Sequence, residues 1–529
     1  VIEIIVYDVF SVGNFYNRTD SDSRFVRHDS ATAGTDNFIA GNNAGDAIQS
    51  GGNNNTLVGN EAGTAITTGD RNTAVGFEAL KTATTAQYNV AVGYQALENN
   101  TGNNNTAVGD QALEANISGT NNTAMGDDAG VSVTTGSYNT FMGAIAADSV
   151  TEGGRNTALG YGALQTDTLG SRSTAVGFNA LGTQNFTSAT DNYNIGIGYD
   201  AGGAITTAEK NTIVGSLAGD ALTIGENNVA IGYNALGSDD VGSRNVAIGW
   251  DALQAQNATS GSVNNFYNTA VGANSGASIT TGYYNTFVGG LAGDGTDDGL
   301  YNTAFGYLAL SANCGNSNTG IGTSALENTT GANNTALGLD AGINVSSGSN
   351  NICIGKDAGV TGSPGGNITS GSNEIALGDE SIASFSCQVS LTATSDERDK
   401  TDFKDLDLGL DFVKALKPVT YVWDKRTNYV DKTDPDWRKT LDLDKITSDG
   451  SKKDDDLQVG FKAQDVIALE EAAGYKLSDK TNLTASITSD EKQYGLKYER
   501  FVPMLVKAVQ ELSAKNDALE ARIKKLEDG

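Results

Sequence analysis

Over most of this chain, apolar and polar residues alternate in short bursts. Twenty times between Asn37 and Gly378 one phrase close to Asn-Thr-Ala-Val-Gly recurs, and its closing glycines usually fall 16 to 18 residues apart. Within the phrase the period is two: Thr73 and Val75 share one face of a strand, while Asn72, Ala74 and Gly76 share the other. The alternation predicts a bulky branched face that fills the inside of a coil and a small face that lets neighbouring backbones approach. Thr-Thr-Gly and Asn-Asn segments supply the turns, since Gly tolerates positive φ and Asn adopts it at modest cost. A unit this short cannot bury a core alone, so each repeat is one coil stacked on its neighbours. Residues 31–390 therefore read as a mainly β shaft, a parallel β-roll or β-solenoid of about twenty 17-residue coils. Like residues stack above like, so the Asn positions should form ladders about 4.8 Å apart.

Two variants of the repeat alternate loosely, one ending Glu78-Ala79-Leu80 and the other Glu61-Ala62-Gly63. Three steps carry insertions, Gly182 to Asp191, Gln254 to Phe266 and Val360 to Gly371, whose extra residues are expected to bulge from the shaft. Phe186, Phe266 and Tyr267 are the candidate receptor-binding residues, because exposed aromatics on loops suit sugar stacking or protein contact. Padding of an interface between chains is the plainer reading of the same three.

Near residue 390 Gly, Asn and Thr give way to Lys, Asp and Leu. Leu410 to Leu416 reads as a short helix stopped by Lys417-Pro418, and Val419 to Trp423 alternates as a strand. Order resumes at Val459 to Val466, after a charged stretch. The tail, residues 501–529, is the clearest helix: Val502, Val509, Asn516 and Ile523 fit heptad position a, and Leu505, Leu512, Leu519 and Leu526 fit d. Val509, Leu512, Asn516, Leu519, Ile523 and Leu526 should carry oligomerisation as a coiled coil. Branched a with Leu d favours two strands over three, in mild conflict with the three chains expected to share a thin roll. Packing of the first half of this helix on its own domain is the alternative.

Composition sharpens the picture. The 529 residues include 66 Gly and only 4 Pro, and the net charge is -30. Residues 31–390 hold seven Lys or Arg against thirty Asp or Glu, so the acidity belongs to the array. Such a surface repels phosphates, which argues against nucleic acid as a partner. No apolar run is long enough to span a membrane. Cys314, Cys353 and Cys387 form no disulfide framework, and the lone His28 removes His-based triads and His-rich metal sites. No cofactor or metal is expected. Residues 1–30 read as a strand and attachment segment whose opening lacks signal-peptide features, and the absence of Met suggests trimming.

At the junction, residues 391–400, stands Ser395-Asp396-Glu397-Arg398-Asp399-Lys400. A hydroxyl and an amine five residues apart are the minimum for a Ser-Lys dyad, in which a desolvated lysine accepts the serine proton. Thr394 and Glu397 also form a Thr-x-x-Glu capping box, and a plain helix start is the stronger reading of these residues alone.

The phrase Asn228-Val229-Ala230-Ile231-Gly232 resembles the head repeats of trimeric autotransporter adhesins, which implies a left-handed parallel roll. Residues 395–529 resemble the C-terminal intramolecular chaperone domain of phage endosialidase tailspikes and related tail fibres. The likeness rests on the Ser-Asp-x-Arg-x-Lys start, Leu416 to Tyr421, Gly460 to Gln464 and Tyr498 to Leu505, in that order. It implies a small α+β chaperone domain over 395–500 that trimerises, templates the shaft and cuts itself away. Ser395 would be the nucleophile, Lys400 its base, Thr394-Ser395 the broken bond, and Asp396 and Arg398 supporting residues. Asp399 departs from the apolar residue usual there, and an acid beside Lys400 weakens it as a base. Any enzyme activity would be this single self-cleaving turnover.

The reading is a homotrimeric tail fibre of a phage or phage-like particle, joined to the particle or baseplate by its N-terminal end and binding a host-surface glycan or protein. Its location would be the virion tail or an extracellular surface. A bacterial surface adhesin of the same build is the alternative. A polysaccharide-degrading tailspike would need paired carboxylates in a groove, and the acids here lie scattered in repeat turns.

Overall fold

In the computed structural model each repeat contributes a three-residue strand, and within each of two units the strands stack in parallel as β-solenoid coils, about 18–20 in all; a small α+β region that ends in a long helix follows in sequence. The residues described are 26–27, 34–257, 264–382, 384–386, 388, 395–431, 441–488 and 490–529. The expected strand over Val1 to Phe10, His28, Cys387 and Thr394 lie outside them. The chain divides into two units, Val1–Asn302 and Thr303–Gly529.

In the first unit the strands run from Phe38–Ala40 to Thr286–Val288. They pair in register, so Thr56, Leu57 and Val58 lie beside Thr73, Ala74 and Val75. Val26–Arg27 pairs antiparallel with the first of them and covers its open edge. The faces are the reverse of the sequence expectation. The middle residue of each strand, such as Ala74, Ala91 or Ala107, is fully buried, while the flanking Thr73 and Val75 face outward and half-exposed. A coil is too narrow for branched residues from opposite walls. Ala from the strand meets Ala79 and Leu80 from the far side, and together they fill the space.

This geometry explains the two repeat variants. Where the middle residue is Ala74, the far turn carries Leu80; where it is Leu57, the turn carries Gly63, on which a Cβ would come within 2.8 Å of the Leu57 side chain. Phe287 with Gly293 is the same exchange of volume. Where both positions are small, as at Ala124 with Gly130, Leu113 and Phe141 of the adjacent coils reach into the space.

The expected Asn ladder is present and continuous over many coils. Asn55 Oδ1 accepts the backbone N–H of Asn72 at 2.9 Å, and Asn72 Oδ1 that of Asn89 at 3.0 Å. The amide nitrogens donate to the next coil's turn, Asn55 to Gly69 O and Asn72 to Ala86 O, both at 2.9 Å. Inside a dry coil each unpaired amide would cost roughly 1–3 kcal/mol, so the ladder removes a penalty that grows with length.

The first two insertions return onto the shaft. Thr190–Asp191 pairs in parallel with Gly170–Ser171, and Asn264–Asn265 with Gly242–Ser243. Phe266 packs on Val241 and Ile224, away from solvent.

The second unit continues the same architecture from Thr303–Phe305 to Ile375–Leu377. Its insertion, 360–371, buries Val360 and Ile368 and meets the C-terminal region: Asn367 N donates to Asp490 Oδ2 at 3.1 Å. Cys314 and Cys353 are buried and in no disulfide. The C-terminal region contains the helices Leu410–Ala415, Ala463–Ala472 and Phe501–Glu527. Two antiparallel strand pairs join them, Val419–Tyr421 with Gln458–Gly460 and Ala485–Ile487 with Tyr494–Leu496. Leu408, Phe412, Val466, Phe501 and Met504 form the core. Buried Glu470 accepts Thr484 N and Thr484 Oγ1, both at 2.6 Å, which ties the second helix to the second strand pair.

Acidity affects the two regions oppositely. Burial raises the carboxyl groups of Glu98, Asp128, Asp167 and Asp220 in the array, whereas Lys81 lowers that of Glu78. In the C-terminal region Arg398 lowers Asp396, Lys445 lowers Asp442 and Ser451 lowers Asp449. A raised carboxyl contributes stability below its unfolded pKa and loses it as pH rises through its folded pKa; a lowered one contributes above its unfolded pKa and loses it on acidification. Calorimetry from about pH 7 down to about pH 2 should therefore show the array transition holding or rising as pH falls to the usual carboxylate range near pH 4, and the C-terminal transition falling below it. Parallel loss of both would contradict these shifts.

Candidate functional site

The junction folds locally. Glu397–Asp399 form one 3-10 turn whose N-cap is Asp396, accepting Arg398 N at 2.9 Å. The cap is therefore Asp396, one residue before Glu397; Thr394, the cap expected from the Thr-x-x-Glu pattern, lies outside the described residues. The Arg398 guanidinium grips the same carboxylate, Nε to Oδ1 at 3.0 Å and a terminal nitrogen to Oδ2 at 2.6 Å, and holds Asp396 below the usual carboxylate range. The turn brings the chain round so that Lys400 Nζ donates to Ser395 Oγ at 2.5 Å.

The spacing of five residues thus assembles a hydroxyl and an amine in direct contact, and Asp396 with Arg398 braces the turn between them. Ser395, Asp399 and Lys400 are all exposed. A lysine must shed its proton to serve as a base, and water around it opposes that. The pair has the geometry of a dyad without dry surroundings.

The last helix shows a second unfilled feature. Phe501, Met504 and Ala508 turn into the domain core, while Val509, Leu512, Asn516, Leu519, Ile523 and Leu526 are all exposed. The face that folds back on the domain is therefore a different one from the heptad seam. Glu511 reaches from this helix to accept Leu410 N at 2.7 Å, capping the first helix of the domain.

Of the receptor-binding candidates, Phe186 and Phe266 are only 5% and 6% exposed, out of reach of a receptor, and Tyr267 is 45% exposed. The insertions fold inward at these rings because an aromatic gains more by covering apolar surface than by standing in water. Exposed aromatics lie elsewhere, on the coils themselves. Immediately after the closing glycine, Phe77 stacks on Tyr94 with centroids 5.5 Å apart, and Phe178 stacks between Tyr161 and Tyr199 at 5.4 Å from each. At another turn Arg71 lies over Tyr88, Arg172 over Tyr193 and Arg244 over Tyr267, at 5.2 to 5.6 Å. The signal in the sequence was an aromatic directly after glycine and a Tyr or Arg directly before the ladder position.

Residues 395–475 match the family described as chaperone of endosialidase. The match opens on Ser395 and takes in the Ser395–Lys400 contact, the first two helices and the Val419–Tyr421 pair; the Tyr498 to Leu505 motif lies beyond it. Comparison with curated proteins and with solved structures gave no match. A β-solenoid followed by a chaperone-of-endosialidase domain fits a tail-fibre or tailspike-like protein.

Proposed function

We propose that this chain is the protomer of a homotrimeric fibre with which a phage or phage-like particle attaches to its host. Its C-terminal domain is the folding chaperone, and it then releases itself at Thr394-Ser395. The observation that carries this reading is the Ser395–Lys400 contact at the first residue of the chaperone match, directly behind a β-solenoid. Association of chains is supported by two apolar surfaces. One is the open heptad seam of the last helix; the other is the outward strand face, where Met125, Met142, Ile231 and Phe305 are exposed. Exposed apolar area of this extent is characteristic of interfaces.

In the release step Ser395 Oγ attacks the Thr394 carbonyl carbon while the neutral Lys400 amine takes the hydroxyl proton. The peptide C–N bond breaks, the proton passes to the departing Ser395 nitrogen, and an ester joins Thr394 to Ser395 Oγ. Water then hydrolyses the ester, leaving a Thr394 carboxylate and an unblocked Ser395 amine. Packing of neighbouring chains around the junction would supply the desolvation that a single chain lacks, so release follows assembly.

Ser395→Ala should therefore remain a single 54.6 kDa species on a denaturing gel, while the unaltered chain gives two fragments. One uncut band from the unaltered chain would remove the release step. Light scattering on the Ser395→Ala chain tests the trimer separately, and a monomer there would remove the fibre reading itself.

A further inference from the structure

One inner column of the coils departs from apolar packing at a few levels, three times on two successive coils. In many coils this column holds Ile66, Val133, Val150, Ile205, Leu222 or Ile279, all buried to 0% exposure. Polar residues enter it singly at Thr296 and Thr329, and on two successive coils at three places: Asn100 with Asn116, Asp167 with Gln184, and Asp239 with Gln256, equally buried. Each pair bonds across the coils. Asn116 Nδ2 donates to Asn100 Oδ1 at 2.7 Å, Gln184 Nε2 to Asp167 Oδ2 at 2.6 Å, and Gln256 Nε2 to Asp239 Oδ2 at 2.6 Å.

The remaining polar atoms of the two Asp-Gln pairs are tied in the same way. Asp167 Oδ1 accepts Gly170 N at 3.1 Å, and Asp239 Oδ1 accepts Gly242 N at 2.9 Å. Gln184 Oε1 accepts Asn194 Nδ2, and Gln256 Oε1 accepts Asn268 Nδ2, both at 2.9 Å. The column neighbours on the outer sides are apolar, Val150 before Asp167 and Ile205 after Gln184, then Leu222 before Asp239 and Ile279 after Gln256.

We infer that these buried polar pairs are register keys, which fix the coil that stacks on each coil of the shaft. The strand bonds and the Asn ladder do this poorly, because nearly every coil offers the same donors and acceptors in the same places; Ser173, which replaces a ladder Asn, is an exception and accepts Gln184 Nε2 at 2.8 Å beside the first Asp-Gln pair. Looping out one coil would leave both systems intact elsewhere. It would, however, set the Asp167 carboxylate against Ile205 and leave its Oδ2 without the Gln184 amide donor in a dry interior, a strongly disfavoured arrangement. The two Asp-Gln keys recur four closing glycines apart, from Gly177 to Gly249, so slips of one, two or three coils between them are all mismatched. Apolar pairs would fill the column equally well in the correct register but would not reject the wrong ones. This device acts within one chain and does not depend on host attachment or on the number of chains.

The test uses the full chain with Asp167, Gln184, Asp239 and Gln256 all changed to Leu, beside a swapped chain carrying Asp167→Gln, Gln184→Asp, Asp239→Gln and Gln256→Asp. Each is refolded from denaturant. Amide-exchange mass spectrometry reads the fraction that recovers the unaltered protection pattern, and thermal melting reads the stability of the folded fraction. The Leu chain should melt at the same temperature or higher, yet recover the single pattern in several-fold lower yield; the swapped chain should recover most of that yield. Recovery of the Leu chain in full yield would overturn the proposal. So would a melting temperature that falls along with yield, or a Leu chain with no folded fraction, since either assigns the pairs to stability. A swapped chain as heterogeneous as the Leu chain counts against it equally.

Discussion

A chain ended at residue 394 should accumulate mainly as insoluble material, and any soluble remainder should be monomeric by light scattering. Most outward strand faces present Thr or a branched apolar residue with Val, Ile, Leu or Met, and similar faces recur along the shaft. Without a seed that sets the starting alignment, chains can pair at many offsets of nearly equal energy, and parallel β assemblies of this kind aggregate readily. In the proposed function the domain beginning at Ser395 would supply such a seed through the exposed seam of its last helix. Changing Leu512 and Leu519 to Asp should reproduce the defect without removing the domain, because charges in a heptad seam prevent its closure. A soluble trimer from the truncated chain would refute the chaperone role.

Gly93→Ala should destabilise the shaft on the order of 3–5 kcal/mol and lower its melting temperature accordingly, a large effect for one methyl group. Gly93 has φ +142°, and a Cβ built on it would lie 2.0 Å from Gly109 O on the next coil. Neither atom can yield, since both belong to backbones fixed by the ladder above and below. The damage should spread to adjacent coils, because each depends on its neighbours for stability. Thr135→Ala, at an exposed turn, should shift melting little by comparison. Equal melting of the two variants would show that the closing glycines do not set the coil spacing.

Much of this architecture was legible because a period of two inside a period of 17 leaves few alternatives. The Asn ladder followed from stacking alone, and the Ser395–Lys400 contact from a five-residue spacing bridged by one turn. The direction of the strand faces was not legible. Alternation separates Thr73 and Val75 from Ala74 but does not say which set points inward, and the usual preference for burying branched residues gives the wrong answer in a coil this narrow. Phe186 and Phe266 failed for a related reason: an insertion in sequence need not protrude, and these two return to cover apolar surface. The register keys were equally hidden, since Asp167 and Gln184 look like ordinary turn residues until their coils are stacked.

The Asn ladder has a consequence for chemical ageing. Asparagine decays when the backbone nitrogen of the following residue attacks its side-chain carbonyl, and a chain with an Asn in nearly every coil offers many such sites. Here the attacking nitrogens are engaged: Thr56 N donates to Asn72 O and Thr73 N to Asn89 O, both at 2.8 Å. The side-chain carbonyls are held by the next coil as well. Cyclisation would require a coil to open first, so the lifetime of these amides is governed by the unfolding of the shaft and not by the intrinsic lability of asparagine.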